Sequence, residues 1–459
     1  MAATLRVALV EPFLTGSHRA WAEGLVAHSA HDVRLVAHDG SFWKWRMQGA
    51  ALTLAHEVAR HGRPDVLLVS DMVHVPALLG FAREALAGVP VVVYMHENQL
   101  TYPLPDDAAP DHTYAITNWL GMAAADRVVF NSDYHRRSWF DAIPKLLRRF
   151  PDYRHTAHVD AAAARAAVLP VGIDARRLAT QPAARAAPTA QARSHPPLVL
   201  WNHRWEYDKD PAAAFDALRA VARDGIDFRL AVAGQQFQTV PPEFAAVQRD
   251  LAGRIVSFGT LDRPDYERLL HQADVVVSTA RHEFFGLSIL EAAAAGACPV
   301  VPDRLSYPEL LPATALYHDG GLVERLRHVL TDDADRRQRA DEAQQAALAY
   351  DWAVVAPRYD ELLADVAKSR TMSADRDVEK SYTTAQVVAK LRRLADAIET
   401  DKPFRIQIAG ERILVPDHAE FSIEHERGDD EEEIEFQLKW TRAQAEKAEA
   451  EGEPDTPEV

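Results

Sequence analysis

Two glutamates eight positions apart, Glu283 and Glu291, frame the stretch Arg281 to Pro302, RHEFFGLSILEAAAAGACPVVP. Phe284-Phe285-Gly286 leaves a strand, and the pattern predicts a helix from Leu287 that Gly296 stops, glycine being the residue most at ease just past a helix end. Cys298 to Val301 reads as the next strand, ended by Pro302. Strand, tight loop, helix and strand make an α/β half-unit, and in such units ligands sit beyond the carboxyl ends of the strands, at helix N-termini. The N–H groups of Gly286, Leu287, Ser288 and Ile289 would then face an anion. Glu283 would stand at the mouth of that site. Glu291, one turn into the helix, would accept hydrogen bonds from a vicinal diol such as a ribose. The plain alternative is a surface helix with two solvated glutamates.

Other residues carry compatible chemistry. Arg204 and Lys209, five apart in the loop after the apolar run Pro197 to Asn202, could clamp both halves of a diphosphate; otherwise they belong to an ordinary charged loop. His96, Glu97 and Asn98 follow the run Val89 to Tyr94, at a strand end where polar residues do chemistry. An imidazole there donates to a sugar hydroxyl or a phosphate, or is a satisfied structural histidine. Gly16-Ser17-His18 follows the first apolar run, Thr4 to Val10, and a glycine before a helix allows close backbone approach to a phosphate or sugar; an ordinary turn fits as well. Trp43-Lys44-Trp45-Arg46 precedes a helix expected from near Gly49 to His61. Its rings could stack on a base while its cations hold phosphate, or could anchor the helix by packing. Asn131-Ser132-Asp133 is a helix N-cap cluster. Lys145, Arg148 and Arg149 form a basic cluster on a surface helix.

These residues require elements to position them. Apolar, β-branched runs alternate with helical patterns through both halves of the chain, which predicts parallel, doubly wound sheets. The first domain is placed at residues 1–175, and the Ala-, Pro- and Arg-rich stretch from Asp174 to Pro197 reads as a linker. A second domain covers 195–349, and a helix over 350–368 follows. A third pattern begins at 373: an amphipathic helix from Thr383 to Thr400, then hairpin-like strands around Gly410 and around an acidic turn. Residues 442–459 are charged and Pro-containing, and are expected to be disordered.

At 459 residues the chain has room for two or three cores. Its net charge is −17, and residues 373–459 hold −11 of it, with 23 Asp and Glu against 12 Lys and Arg. No pervasively basic face of a nucleic-acid binder is evident. No run reaches the about 18 apolar residues of a membrane span. The N-terminus runs directly into a strand, unlike a signal peptide. A single cysteine, Cys298, excludes an intrachain disulfide and fits a reducing, cytoplasmic setting.

The Glu283 to Glu291 spacing resembles the E-x7-E signature of retaining GT-B glycosyltransferases. The resemblance implies that Glu283 contacts the donor sugar, that Glu291 contacts the nucleotide ribose, and that Arg204 and Lys209 hold the diphosphate. It narrows further. GSHRAWAEGL, FWKWRMQGAALTLA, SDM at Ser70 to Met72, MHENQLTYP, FNS and WNHRWEYDKDP are together similar to tRNA-queuosine mannosyltransferases and their bacterial relatives. That family moves mannose from GDP-mannose to queuosine in tRNA(Asp). The implied fold is GT-B, two Rossmann-like domains facing a cleft, with the 350–368 helix crossing back to the first. His96 and Glu283 would be catalytic. Gly16, Arg204, Lys209, Phe285, Gly286, Leu287, Ser288 and Glu291 would bind the donor. His18, Trp43, Lys44, Trp45, Arg46, Glu97, Asn98 and Asn131 would line the acceptor side. Transfer would need neither metal nor cofactor. Residues 373–441, ending in EIEFQLKW, resemble the amphi-Trp domain. Two other readings remain open on the sequence: a GT-B enzyme with another nucleotide sugar and a glycan or small-molecule acceptor, and a non-catalytic nucleotide-sugar-binding scaffold.

Overall fold

The computed structural model describes residues 4–104, 111–180, 195–236, 240–374, 382–400, 403–408, 411–417, 419–427 and 432–441. The first half builds a six-stranded sheet from β1 (Arg6–Leu14), β2 (Asp32–Asp39), β3 (Val66–Ser70), β4 (Val91–Met95), β5 (Arg127–Phe130) and β6 (Ala166–Val168), in the order β2-β1-β3-β4-β5-β6. The second half builds another from β7 (Leu198–Trp201), β8 (Arg229–Ala233), β9 (Ile255–Gly259), β10 (Val275–Val277), β11 (Cys298–Pro302) and β12 (Leu316–Tyr317), in the order β12-β11-β10-β7-β8-β9. All pairings in both sheets are parallel. The central strands are buried along their whole length, VLLVS in β3, VVVYM in β4 and VVV in β10. That is why they read as unbroken apolar runs rather than alternating ones: helices cover both faces. This is the expected GT-B architecture of two doubly wound halves.

Each strand order reverses once, between β1 and β3 in the first half and between β7 and β10 in the second. At such a reversal the connections leave to opposite sides and open a crevice at the carboxyl edge. The polar residues of the candidate site lie at these two edges.

Several boundaries differ from the sequence expectation. β1 does not end at Val10 but runs through Glu11 and Pro12 to Leu14; its pairing with β2 shifts between Glu11 and Leu14, so the proline falls at an irregularity. The helix expected from Gly49 begins at Trp43 and runs to Arg60, burying Met47, Ala50, Ala51, Leu54, Ala55 and Val58. Gly49 is an interior residue over which the Trp45 ring lies, and a Cβ there would meet that ring at 2.7 Å. Part of the expected linker is ordered: Ala175–Ala179 is a short helix that buries Ala175 and Leu178.

The helix Trp352–Ala374 returns to the first half. Trp352 N donates to Ile173 O at 3.0 Å, and its ring stacks on His28. The ring also lies so close to Gly24 and Gly172 that a Cβ at either would overlap it. Tyr359 OH donates to Pro170 O, and Ser29 Oγ to Asp360. One core cluster therefore joins the halves, from Val7, Leu9 and Trp21 through Trp352 and Tyr359 to Ile289 and Ala293.

The chain divides into two compact units at Arg370/Thr371. The second contains the helix Thr384–Glu399, started by a Thr383/Gln386 capping box, and two antiparallel hairpins, β13 (Phe404–Ile408) with β14 (Glu411–Val415) and β15 (Glu420–Arg427) with β16 (Glu432–Lys439). The tail expected over 442–459 lies outside the described residues. No helix among the described residues is long and apolar enough to cross a membrane.

Candidate active site

At the edge of the first sheet, six separate places in the chain bring buried polar side chains together. Glu11, on β1, accepts from His18 Nδ1 at 2.8 Å and from Phe13 N at 2.8 Å. His18 stands in the first turn of the helix Gly16–His28, whose Gly16 takes φ 51. Its ring lies 4.1 Å from that of His96, which follows β4. His96 N donates to Asp71 Oδ1, and Asp71 O accepts from Asn118 Nδ2 at 2.8 Å. Asn131 Nδ2 donates to His96 O at 2.7 Å, and Asn131 Oδ1 is hydrogen-bonded to His135 Nδ1 at 2.9 Å. His96 is thus fixed through its backbone, and its ring is clamped edge-on by Trp21 and Tyr94. Among the described residues neither of its buried ring nitrogens has a hydrogen-bond partner. A buried imidazole so exactingly placed and so unsatisfied is suited to meet ligand hydroxyls.

The electrostatics follow from burial. Burial opposes charge on His18, but Glu11, with Asp71 and Glu97, outweighs it and raises the imidazole to about 9. Burial pushes the Asp71 carboxyl up to about 7, against the pull of the His18 cation. Burial, with His18 and His135, holds His96 well below the ordinary histidine range, so it is neutral.

At the edge of the second sheet, the loop after β7 carries Arg204 and Lys209. It is held by Trp205, whose ring stacks on Phe244 at 4.0 Å and whose backbone N–H donates to Gln235 O. Thr279 Oγ1 donates to Lys209 O and Asp210 O. Lys209 Nζ lies 3.2 Å from Glu283 Oε2, 3.2 Å from Asp208 Oδ2 and 2.8 Å from His282 O. Burial would strip this lysine of charge, but Glu283 and Asp208 reverse the effect and raise it. Burial disfavours the Glu283 carboxylate too, yet Lys209 and His203 hold it below the usual range. Arg204 reaches Glu206 at 3.3 Å and Tyr102 OH at 3.5 Å.

Gly286 (φ 96) turns the chain into the helix Leu287–Ala294; a Cβ there would stand 3.1 Å from Tyr307, so the turn needs glycine. The Ile289 and Leu290 N–H groups both donate to Gly286 O. The open donors therefore stop at Ser288, one residue short of the expected set. Phe285 is buried beneath the turn. Glu291 is buried and accepts from Arg263 at 2.7 Å, a partner with no motif to betray it. Burial raises its pKa while Arg263 pulls it back.

The two edges meet. Ser132 Oγ donates to Phe284 O at 2.6 Å, the His135 ring stacks on Phe284 at 3.9 Å, and Glu309 caps the helix Asp133–Leu147 by accepting from Asp133 N and Tyr134 N. A continuous path of contacts leads from His96 through Asn131, His135 and Phe284 to Glu283. Tyr102 packs on His282 at 4.5 Å. Of the remaining acceptor-side candidates, Glu97 lies near this centre and the others stand apart from it. Asn98 Oδ1 is taken up by Leu100 N and Thr101, which makes it the clasp of its own turn. Glu97 is half-buried and close enough to affect His18, Arg204 and His282. Trp43, Lys44, Trp45 and Arg46 form the first turn of their helix, with Trp43 packed on Tyr114 and Trp45 exposed. Glu11, Asp71, Asn118, His135 and Arg263 were not singled out as site residues from the sequence. For Glu11 and Asp71 the available signal was position: both lie at carboxyl ends of the strands that flank the order reversal.

Residues 6–173 match the family model described as tRNA-queuosine alpha-mannosyltransferase N-terminal, 186–346 match glycosyl transferases group 1, and 372–454 match the Amphi-Trp domain. The chain is 33% identical over 321 residues to the tRNA-queuosine alpha-mannosyltransferase of Drosophila melanogaster, covering 70% of this chain and 85% of that protein. It is 28% identical over 300 residues to a GDP-mannose-dependent alpha-(1-6)-phosphatidylinositol dimannoside mannosyltransferase of Mycobacterium tuberculosis, covering 64% of this chain and 70% of that one. Among solved structures, sucrose-phosphate synthase from Thermosynechococcus elongatus superposes with a TM-score of 0.62 at 14% identity, over 79% of this chain and 100% of that one. Anabaena HepE in complex with UDP gives 0.58 at 18% identity, over 78% of this chain and 100% of that one. These structural likenesses establish the fold.

Proposed function

Since the chain belongs to the tRNA-queuosine alpha-mannosyltransferase family, we propose that it transfers mannose from GDP-mannose to queuosine in tRNA, with retention at the anomeric carbon. The observation that carries this reading is the 33% identity to the Drosophila enzyme, which reaches across both halves of the cleft. The geometry supports glycosyl transfer. As the donor breaks, the sugar becomes oxocarbenium-like and negative charge gathers on the leaving diphosphate. Lys209, Arg204 and the Leu287 and Ser288 N–H groups are preorganised to stabilise that charge. His96, neutral and with open nitrogens, and Glu283 position the hexose between the two edges. Glu291 takes the ribose of the nucleotide, steadied by Arg263.

This chemistry needs no metal, because permanent cations stand where the charge builds. Glu11, His18 and His96 form the one group among the described residues close enough to share an ion, with ligand atoms within 4.8 Å of one another. Glu11 and His18 are already bonded to each other. Transfer should therefore persist in EDTA; full loss on chelation would sink the metal-free part of the proposal. The decisive test is incubation with GDP-[14C]mannose and tRNA that contains or lacks queuosine. Label is expected only in the queuosine-containing RNA, and absence of label there refutes the assignment.

A further inference from the structure

A band of aromatic and cationic side chains runs outward from the cleft of the first half. Gly40 lies so close to Thr15 that a Cβ would come within 2.4 Å of the threonine Cβ. Thr15 precedes the helix that carries His18, so the turn after β2 abuts the site. In that turn Phe42 adopts left-handed backbone, φ 52, with its side chain 80% exposed. This conformation is costly for a bulky residue, and such strain collects at functional sites. Trp45, one turn on, is 64% exposed. Trp43 packs on Tyr114 at 5.0 Å instead, and Lys44 Nζ stands over both rings, at 5.6 and 5.9 Å. Tyr114 is one helical turn ahead of Asn118, which donates to Asp71 O inside the cleft. The band therefore begins at the rim of the site.

It continues along the surface. Arg149 Nη1 donates to His112, next to the start of the Tyr114 helix. Arg148 and Arg149 close the helix Asp133–Leu147, and beyond them Tyr153 is 87% exposed and again left-handed, φ 43. Arg136 and Arg137, earlier on that helix, both pair with Asp133. By contrast, no carboxylate of the described residues forms an ion pair with Lys44, Arg46, Arg148 or Arg149. Asp111 is near enough to feel the Lys44 charge, but in a chain of net charge −17, cations without an ion pair among the described residues, interleaved with exposed rings, mark a surface suited to an anionic, stackable partner.

We propose that this rim binds the RNA acceptor, with Phe42 and Trp45 stacking on unpaired bases and Lys44, Arg148 and Arg149 holding phosphates. The inference rests on the reading that the acceptor is an RNA. Single-stranded loops are what proteins read in RNA, by stacking splayed bases on aromatic rings, while lysines and arginines release counterions from the backbone. The strongly acidic balance of the chain as a whole makes a local basic rim necessary: without it the polyanion would be repelled.

Two pairs of substitutions in the full-length protein test this. Phe42→Asn with Trp45→Leu removes the rings, asparagine being tolerant of left-handed backbone. Arg148→Glu with Arg149→Glu reverses the charge. Affinity for queuosine-containing tRNA is measured at two salt concentrations, together with KM for tRNA and for GDP-mannose. Each pair is expected to raise KM for tRNA at least tenfold and to leave KM for GDP-mannose within twofold. The charge-reversal pair should also flatten the slope of log affinity against log salt by about 1.5, the share of two phosphate contacts, whereas the ring pair should leave that slope unchanged. RNA affinity within twofold of wild type in both pairs overturns the inference. The underlying reading is checked separately by wild-type transfer to tRNA and to free queuosine: failure of both sinks that reading, while transfer with unaltered variants sinks the rim alone.

Discussion

The two edges of the cleft handle buried charge in opposite ways. On the first sheet, the carboxyl groups of Glu11 and Asp71 share a single titratable cation, His18, which is raised to about 9 while Asp71 is raised to about 7. On the second sheet, Glu283, Asp208 and Glu291 face cations that stay charged, Lys209, Arg204 and Arg263. The first arrangement suits neutral hydroxyls, which exchange hydrogen bonds and protons. The second suits a group that is anionic throughout the reaction. Within one cleft, the kind of cation used at each edge is the physical reason for proposing that one edge meets sugar hydroxyls and the other the diphosphate.

The sharpest way to break this contrast is to remove the permanent cation. Lys209→Ala leaves Glu283 and Asp208 buried without their partner, and the expected cost is about 3–5 kcal/mol of stability, as for breaking other buried ion pairs. Urea denaturation measures it. Lys209→Met combined with Glu283→Gln should recover much of that stability and none of the transfer activity. A single variant as stable as wild type would show that the pair is solvated.

Next in size is Glu283→Gln. It is expected to lower turnover by about 10²–10³, or 3–4 kcal/mol, the scale for one preorganised electrostatic group, with GDP affinity preserved. Single-turnover kinetics and calorimetry on the same preparation separate the two effects. A parallel loss of both would contradict a role confined to the sugar.

The titration of the two edges should run in opposite directions. His18 is raised above its ordinary value, so its contribution to stability is complete below about 6.5 and is lost as pH climbs towards about 9, at up to about 1.4 kcal/mol per pH unit for one proton. The raised Asp71 acts with the same sign at lower pH, between about 4 and about 7. Glu283 is held low, so its contribution is present above the ordinary carboxylate range and disappears on acidification. Denaturation of wild type and His18→Asn from pH 3 to 10 checks this. The variant, whose amide can still donate to Glu11, should lose the alkaline slope and keep the acid one; an unchanged alkaline slope would remove His18 from the account.

The smallest expected effect is Glu291→Ala, about a tenfold loss of GDP affinity, or 1.4 kcal/mol. Arg263 retains Glu267 as a partner, so the fold should persist. Affinity unchanged in calorimetry would mean that Arg263 alone occupies Glu291.

The sequence by itself determined the parts of this protein that are local. Strand runs such as VLLVS and VVVYM are apolar throughout because both faces are covered, and that pattern is visible in any window of five residues. The Arg204 to Lys209 loop and the Glu283 to Glu291 turn each lie within ten residues, so type and spacing are enough to show what they can hold. Even there, the Gly286 turn closing on the Ile289 N–H and the pairing of Glu291 with Arg263, 28 positions away, were decided by packing. The first edge was legible only in part: His18, His96 and Asn131 were named from the sequence, but nothing in it showed that they meet. Glu11, His18, Asp71, His96, Asn118 and Asn131 come from six separate places in the first 131 residues, and no spacing links them. β1 carries Glu11 past the usual stop signal of a proline because the neighbouring strand absorbs the irregularity. His96 was named from its place at a strand end, but its fixed backbone, held by Asp71 and Asn131, and its neutral ring came only with the fold. Those are consequences of desolvation and of contacts between distant strands, which exist only once the sheet has closed.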